Sequence, residues 1–163
     1  MACRGVLFAL TEEDAKCLLA ARDDNAVLYI VQEEIEALWD EEWLEQTDKA
    51  WDAIHRCLTD GTLRVKSPSP LAKCILGGRQ LHKGDNYIVS FLTPEEVKSV
   101  SAALQEIDEN WLRRKYYALD PNNYGKPLSE EDFDYTWYYF RGTRSFFAKA
   151  SRHSRSVIFT VDQ

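Results

Sequence analysis

Long apolar runs are missing from this sequence. No stretch approaches the roughly 20 consecutive apolar residues that a membrane-crossing helix needs. The N-terminal MACRGVLFALTEEDAK holds an apolar run too short for a secretory signal, and carboxylates follow where a small-residue cleavage site would stand. A soluble, cytoplasmic protein is the expectation. Cysteine and histidine are sparse, at four and three residues. Cys3, Cys17, Cys57 and Cys74 form no C-x-x-C pair, and His55, His82 and His153 are scattered, a pattern of neither a zinc site nor a disulfide framework. Free thiols, no metal and no cofactor are expected. G-x-S-x-G, G-x-x-x-x-G-K and G-x-G-x-x-G are all absent, which removes the common signatures of hydrolases, phosphate loops and dinucleotide folds. The one glycine pair, in GGRQ (77–80), follows an expected helix instead of preceding one, so it reads as a left-handed helix end.

Positive charge is missing from one long stretch. From Asp23 through Asp48 there are ten carboxylates and no Lys or Arg. From Arg141 through Arg155 the balance reverses, with Arg141, Arg144, Lys149, Arg152 and Arg155 and no acid. The net charge of −7 hides this separation. Segregated charge steers a partner of opposite sign unless the two blocks face each other in the fold.

What is present suits a packed protein. The chain has 163 residues, 45% of them hydrophobic, enough to bury a core as one domain over 1–163. GVLFAL (5–10), NYIVSFL (86–92) and SVIFTVD (156–162) read as strands. Thr11 opens T-E-E-D, an N-cap followed by carboxylates suited to the positive end of a helix. A second helix is expected from about Val27 to Leu44, with Val27, Val31, Ile35, Leu38 and Trp39 at helical spacing. The third spans TDKAWDAIHRCLTDG (47–61), capped by Thr47 or Asp48. Ser69-Pro70 starts a short helix over LAKCIL, and Thr93-Pro94-Glu95-Glu96 has the form of a capping box. NWLRRKYY is another short helix and PNNYGKP (121–127) a loop. Ser129 opens the last helix, where Phe133, Trp137, Phe140 and Phe147 track one stripe and Gly142 marks a bend or a close contact. The expected fold is α+β: a single helix-rich domain with a small, mainly antiparallel sheet whose N- and C-terminal strands are neighbours.

Three functions are weighed on this frame. In the third helix, Asp48, Asp52 and His55 fall at i, i+4 and i+7. A carboxylate could orient the imidazole as a general base, with Lys49 or Arg79 holding an anionic substrate. Trp51, Ile54 and Leu58 share the face of His55, however, so a packed, structural histidine is favoured. The C-terminal basic and aromatic helix suggests single-stranded nucleic acid on Arg141, Arg144 and Arg152. The helical spacing of its aromatics and the acidity of the whole chain weigh against that. The acidic helix offers a protein interface. Trp39 and Trp43 would serve as anchors, and Glu33, Glu34, Glu36, Asp40, Glu41 and Glu42 as complementary charge for a basic partner.

DKAWDAIHRCLTDG (48–61), PLAKCILGG (70–78) and YIVSFLTPEEV (87–97) occur in the order seen in the YfbM-like family, a bacterial domain of unknown function that this chain resembles over most of its length. The matching residues are Asp48, Lys49, Trp51, Asp52, His55, Leu58, Thr59, Leu76, Gly77 and Gly78. The resemblance implies an α+β fold with a small antiparallel sheet and brings no activity or cofactor. By association, families of this kind supply small acidic immunity proteins in bacterial conflict systems. The reading reached is a non-enzymatic binding module, most concretely an immunity protein that neutralises a basic toxin or effector. The identity of the partner and the oligomeric state stay open.

Overall fold

The computed structural model describes residues 3–163. Its centre is a five-stranded antiparallel sheet in the order β2-β1-β5-β4-β3. β1 (Gly5–Leu10) and β5 (Ser156–Asp162), from opposite ends of the chain, are paired neighbours from Gly5↔Val161 to Leu10↔Ser156. β4 (Tyr87–Leu92) lies on the far side of β5, and the two-residue β3 (Arg79–Gln80) closes that edge. The expected α+β class and the adjacency of the terminal strands are both present.

Because side chains alternate along a strand, the sheet buries two separate sets. Leu7, Ala9, Leu92, Val157, Phe159 and Val161 face α3 (Ala50–Leu58), α4 (Pro94–Gln105), α5 (Glu109–Tyr117) and α7 (Glu130–Arg152). Phe8, Leu10, Val89, Phe91 and Ile158 face α1 (Glu12–Ala20), α2 (Asp24–Tyr29) and a π-helical continuation, Ile30–Glu36. Thr11, Ser129 and the Thr93–Glu96 capping box all close helix starts as read from sequence. α7 runs unbroken through Gly142, where the Glu45 carboxylate of β2 (Leu44–Asp48) occupies the space a Cβ would need. Close approach, not a bend, explains that glycine.

Four expectations are corrected. The second helix stops at Glu36 instead of Leu44, because Trp39 takes a left-handed backbone (φ 46°) and Leu44 pairs with Phe8 as part of edge strand β2. The strand is largely polar, so its residues carry no apolar alternation. Neither Thr47 nor Asp48 caps α3. The Thr47 hydroxyl donates to the Gly5 carbonyl at 2.8 Å, and Asp48, itself at φ 45°, accepts from the Tyr135 hydroxyl at 2.9 Å and pairs with Arg4 at 3.3 Å. Gly77 and Gly78 are not left-handed, the positive φ glycines being Gly61 and Gly125. A Cβ on Gly77 would run into the Ala72 carbonyl, and one on Gly78 would lie 2.6 Å from the Phe91 oxygen. The pair is there for close backbone packing beside β4. PNNYGKP includes one short helical turn, α6 (Pro121–Tyr124), ended by Gly125.

Candidate functional site

α3 is the most buried helix, and its residues decide the histidine question. Every residue from Ala53 to Leu58 is buried, His55 completely. The His55 Nε2 lies 2.8 Å from the Arg64 carbonyl, so this nitrogen carries the proton and donates. Its Nδ1 is buried with no hydrogen-bond partner among the described residues. Neither expected carboxylate bonds the ring. Asp52 instead accepts from Arg56 Nε at 2.6 Å, and Arg56 also donates to the Gly61 carbonyl at 3.2 Å. Burial lowers the His55 pKa, opposed by the Arg64 carbonyl and by Asp52 and Asp60. The ring ties α3 to the 59–64 loop, and Thr59 adds a second tie by donating to the His55 carbonyl at 2.8 Å. The Asp48–Asp52–His55 set is therefore not assembled as a base with its orienting group.

The residues proposed to hold a substrate are also dispersed. Lys49 and Asp52 border a cavity of about 440 Å³ together with Tyr124 and Lys126. Arg79 lies on a different cavity, and His55 lines neither. No local pattern in the sequence marks the network beneath the first cavity. There Asp132 accepts from the hydroxyls of Tyr116 and Tyr124 at 2.7 and 2.8 Å and pairs with Lys126 at 2.5 Å. The hydrogen bonds from Lys126, Tyr116 and Tyr124 outweigh burial and hold the Asp132 carboxyl below its usual range. The two tyrosine hydroxyls are pushed up, chiefly by burial. Ser129 marks Asp132 as part of a helix start, but its partners come from elsewhere in the chain: Tyr116, Tyr124 and Lys126.

The basic helix spends most of its aromatics on the core. Phe133, Phe140 and Phe147 are fully buried, and half-buried Trp137 stacks on Phe140 at 5.6 Å. Arg144 donates to the Ile107 carbonyl at 2.7 Å, while Arg141 and Arg152 are exposed. No group of three or more His, Cys, Asp or Glu among the described residues is arranged to hold a metal. The four cysteines are unpaired. Burial raises the Cys57 thiol to about 12 and that of Cys74 further still, so neither serves as a thiolate nucleophile near neutral pH.

The acidic segment divides into an inner and an outer part. Inward, Val27, Val31 and Ile35 pack on the sheet, and Glu36 accepts from the hydroxyls of Tyr87 and Thr160. Glu36 is thus an internal strut. Outward, Glu33, Glu34, Asp40, Glu41 and Glu42 are all exposed. Asp40 caps the Glu42 N–H at 3.1 Å, shaping the turn into β2. Two cations lie over the Trp43 ring: Arg155 is 3.5 Å and Lys149 4.2 Å from its centre, with His153 edge-on. Lys149 also donates to the Glu42 carbonyl at 2.6 Å and stands 3.9 Å from its carboxylate. The two charge blocks therefore meet at one place, around Trp43. Elsewhere the carboxylates surround Leu38 and Trp39, which are 74% and 38% exposed. Trp39 rests edge-on against Phe8 at 6.0 Å. Helical spacing with Val31 and Ile35 predicts an inward-facing Leu38. It is the most exposed large apolar side chain on this face, because the helix has already ended.

A family model described as "Domain of unknown function (DUF1877)" matches residues 1–160. The fold is similar to the crystal structure of a protein of unknown function, YfbM from Escherichia coli. The TM-score is 0.65 at 20% identity, and the match covers 97% of this chain and 99% of that one. No curated protein matches the sequence. Among the described residues, no helix is long and apolar enough to cross a membrane.

Proposed function

The chain belongs to the DUF1877 family, and for this member we propose a cytoplasmic, non-enzymatic protein-binding role on the exposed acidic segment 33–42. The observation that carries it is the juxtaposition of Leu38 and Trp39, both exposed, with five exposed carboxylates. Of those five, Glu42 alone forms an ion pair among the described residues, with Lys149 at 3.9 Å. Apolar anchors ringed by uncompensated charge of one sign fit a basic partner protein: the anchors supply affinity, and the charges supply approach rate and selectivity. Leu38 replaces Trp43 as the second anchor, because Trp43 is half-buried and already packed against Arg155 and Lys149. In its most concrete form the partner is a basic toxin or effector whose active site is masked, the chain acting as its immunity protein.

The test is a pull-down from native cells with two baits, the natural chain and a Glu33→Lys, Glu34→Lys, Glu41→Lys, Glu42→Lys variant, at low and moderate salt. One basic protein is expected in near-equal amount on the natural bait at low salt, reduced by salt and lost on the reversed bait. Equal capture by both baits at low salt would overturn the proposal.

A further inference from the structure

The edge of the sheet opposite β2 carries the reverse charge. In the β3–β4 ladder, Arg79 sits opposite Phe91 and Gln80 opposite Ser90, and the Leu81 N–H donates to the Val89 carbonyl at 2.9 Å. Residues of an antiparallel pair alternate between bonding their partner and facing away. Arg79 and Leu81 therefore face β4, while the backbone N–H and carbonyl of Gln80 point outward. Neither has a hydrogen-bond partner among the described residues.

Beside this edge, a cavity of about 450 Å³ opens between β3 and the α1–α2 junction. Its walls include Leu19, Val27 and Leu81, and Arg22, Arg79 and Lys83 also line it. None of these three cations takes part in an ion pair among the described residues. The two carboxylates at the same place are already engaged. Asp23 accepts from the Ala26 N–H at 2.8 Å, and Asp24 accepts from the Lys83 and Gly84 N–H groups, each at 3.0 Å, and lies 3.8 Å from His82 Nε2. Cations on a short edge strand guard it against indiscriminate pairing. The same cations favour an incoming strand that carries carboxylates.

We propose that this edge binds an acidic, extended segment of a partner protein, which adds to β3 through the backbone of Gln80 and places its carboxylates on Arg22, Arg79 and Lys83. Main-chain bonds and alternate side-chain pockets are how strand addition obtains affinity and selectivity. This surface is separate from the acidic segment, and the inference does not depend on that reading.

Fluorescence anisotropy tests it, with one labelled peptide of alternating glutamate and valine and a second of alternating lysine and valine. The acidic peptide is expected to bind and the basic one not to. Reversing the cations (Arg22→Glu, Arg79→Glu, Lys83→Glu) is expected to weaken binding about tenfold or more, since three attractions are each replaced by repulsion. Gln80→Pro removes the outward N–H without touching a ladder bond, and it too is expected to abolish binding, with thermal melting confirming that the variant folds. In the natural chain, hydrogen exchange at the Gln80 amide should slow when the acidic peptide is added. Equal affinity for the two peptides, or no loss in the cation-reversed variant, would overturn the inference. So would an unchanged Gln80 exchange rate, and so would competition by free glutarate as effective as that of the peptide.

Discussion

On one face of the sheet, α3, α4, α5 and α7 enclose a continuous core of aromatics and aliphatics. On the other, α1, α2 and the π-helical segment cover a smaller cluster, made chiefly of Val27, Val31, Ile35 and the strand residues beneath them. The thick face holds the buried histidine, the buried Arg56 and the motif through which the family resemblance was read. The thin face holds the exposed acids, Leu38 and Trp39. The motif-rich part of this chain is thus where the fold is secured, and the candidate binding surface lies on elements with little core of their own. Hydrophobic stabilisation scales with buried apolar area, so the thin layer has the less of it to offset repulsion among its exposed acids.

Truncating one core residue on each face sharpens the contrast most. Phe147 is fully buried in the core of the thick face, and Phe147→Ala is expected to cost about 3–5 kcal/mol, in the range for large aromatic truncations. Ile35 is slightly exposed, at 8%, and Ile35→Ala is expected to fall near the lower end of its range, about 2 kcal/mol. Urea denaturation of both variants checks this. Equal losses would mean that the two layers are energetically alike.

The same division governs what could be read before the structure. Helices with strong local starts, such as those after Thr11, Thr93 and Ser129, are legible because the cap and the first turn lie within four residues of each other. His55 is legible as structural because Trp51, Ile54 and Leu58 share its face. β2 is not legible: its residues LEQTD follow a helical pattern, and its partner β1 lies far back in the chain. The opposite fates of Leu38 and Glu36 follow from that. A helix continued to Leu44 would bury Leu38, whereas the actual end at Glu36 exposes it and turns Glu36 toward Tyr87 and Thr160. Asp48 and Asp52 leave their expected roles because other partners decide where a carboxylate points: Tyr135 on a distant helix takes Asp48, and Arg56 one turn along α3 takes Asp52.

A smaller effect separates the faces by pH. Burial keeps the folded-state pKa of His55 below its value in the unfolded chain, about 6.5. Above that pH both states hold the ring neutral, and the contribution to stability is complete. As pH falls below it, the unfolded chain takes up a proton that the folded protein refuses, and stability declines until the folded pKa is passed. The slope cannot exceed about 1.4 kcal/mol per pH unit for one proton. Urea midpoints across this window should fall in the natural chain more steeply than in His55→Gln, which is less stable but lacks this titration. Parallel curves for the two proteins would assign the pH dependence to other groups.

The smallest expected change in stability is the most informative about function. Glu33, Glu34, Glu41 and Glu42 are exposed, and only Glu42 takes part in an ion pair among the described residues, a loose one at 3.9 Å. Surface substitutions of this kind usually change stability by within about 0.5 kcal/mol. Reversal of Glu33, Glu34 and Glu41 also relieves repulsion between neighbouring acids, so those three variants are expected to melt at or slightly above the natural chain. Glu42→Lys should be neutral or slightly destabilising, because it sets a second cation beside Lys149. Were these carboxylates part of what holds the thin face together, each reversal would lower the melting temperature clearly, as Glu36→Gln should by weakening the acceptor shared by Tyr87 and Thr160. A measured contrast between a costly Glu36 and costless outer acids would show that the fold does not require the exposed charge. Its persistence on a thin layer would then call for a partner to explain it.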